Sequence, residues 1–211
     1  MKQLVDTLPD YGALYKSGLR TNEYQLVLSP HEELRNKILA VKKAFHETYP
    51  GGYTNFVRPH ILLAKFTQLE MMEEKILHRL RIAGNGYHPF RVELKNYGAF
   101  PTHSIYVNVV TRQPVQGLVK EIRQLQRLMK YDKDRKPHFI DEPFITIASR
   151  LQPWQYEQGW LEYSHRQFTG RFLADGMLLL KRRTGDRAWQ IAERFEFKNL
   201  PVNTRQGELF A

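Results

Sequence analysis

Two short segments of this 211-residue chain repeat one pattern, and the repeat limits its possible folds more than any other feature. They are Pro59-His60-Ile61-Leu62-Leu63-Ala64 and Pro143-Phe144-Ile145-Thr146-Ile147-Ala148. Each opens with proline and continues in apolar, largely branched residues, the pattern of a short buried strand. Side chains alternate along a strand, so the first and third residues after the proline share a face. That face carries His60 and Leu62 in one copy, Phe144 and Thr146 in the other. Superposed, the copies supply one imidazole and one hydroxyl where a symmetric site would hold two of each.

The rest of the chain fits a duplicated unit. A strand over 24–28 leads into Ser29-Pro30-His31-Glu32, which reads as a helix start with Ser29 as cap, Pro30 in the first turn and Glu32 closing a capping box. Leu34, Ile38, Val41 and Phe45 recur at helical spacing, and Tyr49-Pro50-Gly51-Gly52 ends the run. A strand over 56–66 carries His60. A second helix is striped by Leu69, Met72, Ile76 and Leu80 and ends near Gly84-Asn85-Gly86. Strands are expected over 90–94 and 104–110, with 96–101 as their connection. Val115, Leu118, Ile122, Leu125 and Met129 predict a third helix, followed by a charged loop over 131–142. After the second motif strand come a helix over 154–163 and a hairpin of strands 172–180 and 189–197, turning at Thr184-Gly185-Asp186. This order predicts an α+β fold of antiparallel sheets backed by helices. Residues 1–22 read as an N-terminal surface segment, 23–200 as one domain and 201–211 as a tail.

With the motifs in hand, the chain resembles the two-histidine (2H) phosphoesterases, which include the 2′-5′ RNA ligase-like proteins and 2′,3′-cyclic phosphodiesterases. Their signature is His-x-Thr, twice, each opening a buried strand; here the matching triplets are His60-Ile61-Leu62 and Phe144-Ile145-Thr146. Asn96-Tyr97-Gly98-Ala99-Phe100-Pro101 resembles the family's mid-chain segment, and Ile145-Thr146-Ile147-Ala148-Ser149-Arg150 its second motif strand. The resemblance spans residues 23–197. It implies a bilobal, pseudo-two-fold arrangement of sheets around a central cleft. It also implies metal-independent acid/base chemistry on RNA ends or cyclic nucleotides, with no cofactor.

On that resemblance His60 is the surviving proton-transfer group and Thr146 a phosphate ligand, with Arg150 as a helper on the same strand. Leu62 and Phe144 depart from the motif. Phe144 moves no proton, and Leu62 offers no hydrogen bond to an anion. The expected activity is therefore weak or altered, the alternatives being an inactive nucleotide-phosphate binder or an apolar scaffold. His138, six residues before Phe144, could replace the missing imidazole or be an exposed loop residue; His103 poses the same choice.

The formal charge of +10 suits a polyanionic partner such as RNA. Lys120, Arg123, Arg127 and Lys130 form one face of the third helix, followed by Lys133, Arg135 and Lys136. This stripe could track phosphates or be a solvated helix face. Lys181-Arg182-Arg183 could reach the cleft mouth. Tyr53, Tyr97, Tyr106 and Trp154 are candidates for base stacking or for core. Cysteine is absent, which removes disulfides and thiolate ligands. No signal sequence or membrane span is evident, so a cytoplasmic monomer is expected. Gln206, Leu209 and Phe210 resemble the Gln-x-x-Leu-Phe peptides that dock on bacterial sliding clamps.

Overall fold

The computed structural model describes residues 20–51 and 58–200. The first strand, β1 (Thr21–Leu28), is followed by α1 (Glu32–Thr48), β2 (Ile61–Leu69), a single 3-10 turn, α2 (Glu73–Gly86) and β3 (Phe90–Phe100). The second half runs β4 (Ser104–Val109), α3 (Arg112–Arg123), a one-turn α4 (Gln126–Met129), β5 (His138–Phe139), β6 (Phe144–Ser149) and α5 (Pro153–Tyr163). It closes with β7 (Thr169–Ala174), β8 (Gly176–Arg183) and β9 (Gln190–Glu196).

These strands build two antiparallel sheets. The first has the order β5-β2-β1-β8-β9 and the second β6-β4-β3-β7. Setting β5 aside, the orders correspond strand for strand: β2-β1-β8-β9 against β6-β4-β3-β7. The motif strand has the same place in each. The duplication is therefore interlocked, because each half sends its closing strands into the other half's sheet. β3 leaves the first half to pair with β4, and β8 leaves the second to pair with β1. Helices are exchanged too. α1 packs on β6 and β7, whereas α3 and α4 pack on β2. One apolar core, including Leu26, Ile38, Leu63, Ile105, Leu118 and Leu179, runs through both halves. Among the described residues no helix is long and apolar enough to cross a membrane.

Several sequence expectations need correction. α1 starts at Glu32 rather than Pro30; His31 is its cap residue and no side chain caps it, while the Ser29 hydroxyl turns to the Pro30 carbonyl. Described strand structure in the first motif begins at Ile61 and runs on to Leu69, beyond the expected end at 66. The connection expected over 96–101 is instead the end of the long strand β3. Asn96 bulges there with φ 57° and donates its amide to the Phe168 carbonyl at 2.7 Å. The third helix breaks between Arg123 and Gln126. The loop over 131–142 contains β5, which adds an edge strand beside β2. The expected strand 172–180 is two strands that change sheets at Asp175: Phe172 pairs with Val92 in one sheet, and Leu179 with Leu26 in the other. The hairpin turns where expected, with Gly185 at φ 100°, but its first strand starts at Gly176 and runs on to Arg183.

Candidate active site

The two motif strands share a device that the sequence reading missed. In β2, Ala64 faces Leu26 and Leu62 faces the next residue, Val27, so Leu63 is an extra residue. In β6, Ala148 faces Ile105 and Thr146 faces Tyr106, so Ile147 is extra. Each strand thus carries a one-residue bulge immediately after the third motif position. A bulge lets two consecutive side chains enter one side of a sheet. Here Leu63 and Ala64 are both buried, as are Ile147 and Ala148. His60, Leu62, Phe144 and Thr146 are half-buried, and of the four His60 lines the cavity described next. β2 and β6 touch, so Thr146 on β6 and His60, the residue just before β2, belong to neighbouring segments.

His60 lines a cavity of about 480 Å³ whose floor is the cleft face of β1 and β8, through Val27, Leu178 and Leu180. Arg58, Arg187, Trp189 and Ile191 form its other sides. The His60 Nδ1 lies 2.8 Å from the Arg58 carbonyl oxygen. A carbonyl only accepts, so Nδ1 carries the hydrogen and the neutral ring keeps its lone pair on Nε2. Burial, joined by the positive charge of nearby Lys42, holds the imidazole below its ordinary value of 6.5, against the opposing pull of the Arg58 carbonyl. At neutral pH the ring is uncharged with Nε2 available, the state of a general base rather than an acid.

Lys42 was overlooked, although the signal was present. It lies on the stripe Leu34, Ile38 and Phe45 of α1, where an apolar residue belongs, and is only 5% exposed. Burial pushes its ammonium down to about 8. Replacing it with methionine, Lys42→Met, is expected to raise the His60 pKa toward 6.5, because a positive neighbour is removed. Titration of the His60 ring protons by NMR checks this; an unmoved midpoint would contradict the coupling.

At the second motif, the Phe144 ring closes an aromatic cluster with Phe100 and Tyr106. It lies 5.0 Å edge-on from Phe100 and 5.0 Å from Tyr106, which themselves are 4.7 Å apart. Exposed His103 stacks at 6.0 Å on Phe100, with its Nδ1 2.6 Å from the Ser104 hydroxyl. His138 is exposed in β5 opposite Lys65, on the face of that residue. Its strand position lies five residues from His60 along β2, roughly 15 Å. Arg150 lies beyond the end of β6 with φ 55°, exposed, so it is not on the strand face with Thr146.

The helical stripe lies apart from the cleft. Val115, Leu118 and Ile122 seat α3 against the core side of the first sheet, so Lys120, Arg123 and Arg127 are exposed on the outer surface. Arg123 meets Asp141 at 3.4 Å and sits over the Phe139 ring. In the 181–183 run, Lys181 pairs with Glu73 and Arg182 with Glu23. Tyr97 packs edge-on against Tyr163, and Trp154 is exposed. Tyr53 and the tail residues Gln206, Leu209 and Phe210 lie outside the described residues.

A duplicated motif strand in each of two interlocked sheets, with a histidine beside a cavity, is the arrangement that the resemblance to the 2H phosphoesterases implied. Residues 29–186 match the family model of the 2′-5′ RNA ligase superfamily, and the chain belongs to that family. No curated protein sequence matches it. Among solved structures, TT0787 of Thermus thermophilus superposes with a TM-score of 0.64 at 17% identity, covering 83% of this chain and 98% of the other. E. coli LigT complexed with 3′-AMP gives 0.60 at 12% identity, covering 84% and 98%. LigT complexed with NADP+ gives 0.53 at 16%, covering 84% and 99%. At these identities the likeness is one of fold.

Proposed function

We propose that the protein acts on RNA ends or nucleoside 2′,3′-cyclic phosphates by metal-independent proton transfer at one base, His60, with altered and slow turnover. The observation that carries this reading is the neutral His60 ring, held in its Nδ1–H form by the Arg58 carbonyl and lining a cavity of nucleotide size. In hydrolysis, Nε2 takes a proton from water as the water oxygen bonds to phosphorus. The ring P–O bond breaks, and the departing ribose oxygen takes its proton from solvent, since Phe144 has none to give. Thr146 offers its hydroxyl to a non-bridging oxygen. Arg58 and Arg187, which border the cavity, supply positive charge closer to His60 than does the stripe of Lys120, Arg123 and Arg127. The nucleotides in the LigT complexes agree with a nucleotide ligand in this fold.

A second reading, a nucleotide or RNA-end binder without turnover, is favoured by the close packing of Phe144 against Phe100 and Tyr106. One experiment separates the two. The protein, without added metal, is incubated with nucleoside 2′,3′-cyclic monophosphates and with an RNA bearing a 2′,3′-cyclic end. Slow hydrolysis that disappears in His60→Ala supports the enzyme. Binding without hydrolysis, lost in the same variant, selects the binder. Hydrolysis indifferent to His60→Ala removes His60 from the chemistry.

A further inference from the structure

The cavity beside His60 has a second end that phosphate chemistry does not use. Trp189 lines it, half-buried, just before β9. Its indole is held by a chain of charges rooted in the sheet. Glu23 on β1 is the direct cross-strand partner of Arg182 on β8. One carboxylate oxygen of Glu23 accepts from the Arg182 Nε at 2.8 Å and from a terminal guanidinium nitrogen at 2.5 Å. The guanidinium so fixed lies over the Trp189 ring, 4.6 Å from its centroid. Arg182 does not line the cavity, whereas Trp189 does, so the ring keeps a face toward the cavity. The floor below is apolar, through Leu178 and Leu180.

We infer that this end of the cavity is a nucleobase pocket: the base of a nucleotide stacks on Trp189 over the Leu178–Leu180 floor while its phosphate lies at His60. The inference rests on the proposed phosphate site and names the part of the ligand that site leaves unspecified. A flat π-face, pre-oriented at no cost to the ligand, suits a base better than an aliphatic group. The volume of about 480 Å³ takes a nucleoside with its phosphate rather than a folded RNA. The floor of Val27, Leu178 and Leu180 offers no side-chain hydrogen bond, so the pocket grips the base chiefly by stacking.

The test titrates the protein with adenosine 3′-monophosphate, ribose 5-phosphate and inorganic phosphate by calorimetry. The nucleotide is expected to bind about ten- to hundredfold tighter than ribose phosphate, from the strength of one base stack. Trp189→Ala is expected to erase that difference and leave ribose phosphate binding unchanged; Trp189→Tyr restores most of it. Equal affinity of nucleotide and ribose phosphate for the unaltered protein overturns the base pocket. Loss of both ligands together in a folded Trp189→Ala protein also overturns it, by showing a merely structural role. A measurement on the unaltered chain guards against misfolded variants: photo-crosslinking with 4-thiouridine monophosphate. A crosslink in the peptide holding Trp189 supports the pocket. One confined to Phe100, Tyr106 or Phe144 places the base on the other sheet and refutes it. Failure of the phosphate site reads differently, as His60→Ala without effect on any of the three ligands.

Discussion

The double replacement Leu62→Thr with Phe144→His is expected to raise hydrolysis of a nucleoside 2′,3′-cyclic monophosphate by about a hundred- to ten-thousandfold, the usual worth of one positioned acid or base. The bulges make this expectation specific. β2 and β6 carry their extra residue at the same place after the motif, so position 144 stands to its sheet as position 60 stands to its own. An imidazole at 144 therefore has the backbone that already presents His60 to the cleft, and can protonate the leaving oxygen that water must now serve. A hydroxyl at 62 adds a hydrogen-bond donor that leucine cannot supply. The exchange has a structural cost. The smaller imidazole loses contact with Phe100 and Tyr106, worth about 1–3 kcal/mol. Initial rates of the double variant, both single variants and the double variant carrying His60→Ala measure the effect. Phe144→His should carry most of the gain, and His60→Ala should abolish it. A folded double variant no faster than the parent would mean that position 144 is not aimed at the phosphate, despite the shared bulge.

The residues explain what was legible. The paired motifs announced the duplication because proline and a branched apolar run specify a strand locally. The alternation from 60 to 62 and from 144 to 146 precedes each bulge, so each pair could be read as sharing a face of its strand. The bulges were written in the same segments as Leu63-Ala64 and Ile147-Ala148, two adjacent apolar residues that break strict alternation. The break was not recognised, because a continuous apolar run is equally consistent with a strand buried on both faces. The change of sheet at Asp175 left almost no trace. Phe172, Ala174, Met177 and Leu179 are all buried, and only Asp175-Gly176 interrupts them. Gly176 is the clue in hindsight, since a Cβ there would stand 2.6 Å from the Phe195 carbonyl oxygen. The pairing of β5 with β2 is non-local, and its two strand formers, Phe139 and Ile140, are too short a run within a charged segment to be read as a strand. Arg58 and Trp189 meet around one cavity only through tertiary structure. Lys42 differs from these, because its place on an apolar helical stripe could be read directly.

Lys42 should make the stability of the fold rise with pH in a range where most domains gain nothing. Its ammonium is pushed down to about 8 by burial, against 10.5 for an ordinary lysine. That gap corresponds to about 3 kcal/mol of cost for holding the charge inside at neutral pH. Below pH 8 the group is protonated folded or unfolded, and the cost is carried in full. Between about 8 and 10.5 the folded protein has shed the proton while the unfolded chain keeps it, so stability climbs with pH. Lys42→Met has no such proton. Urea unfolding of both proteins at pH 7, 8, 9 and 10 should show the parent gaining on the variant by up to about 3 kcal/mol across the series. Parallel curves would mean that the lysine is better solvated than its 5% exposure implies. The pH dependence is the diagnostic quantity, because methionine also lacks the other contacts of the lysine. The same positive charge bears on His60, where it adds to burial in holding the imidazole below its ordinary value of 6.5.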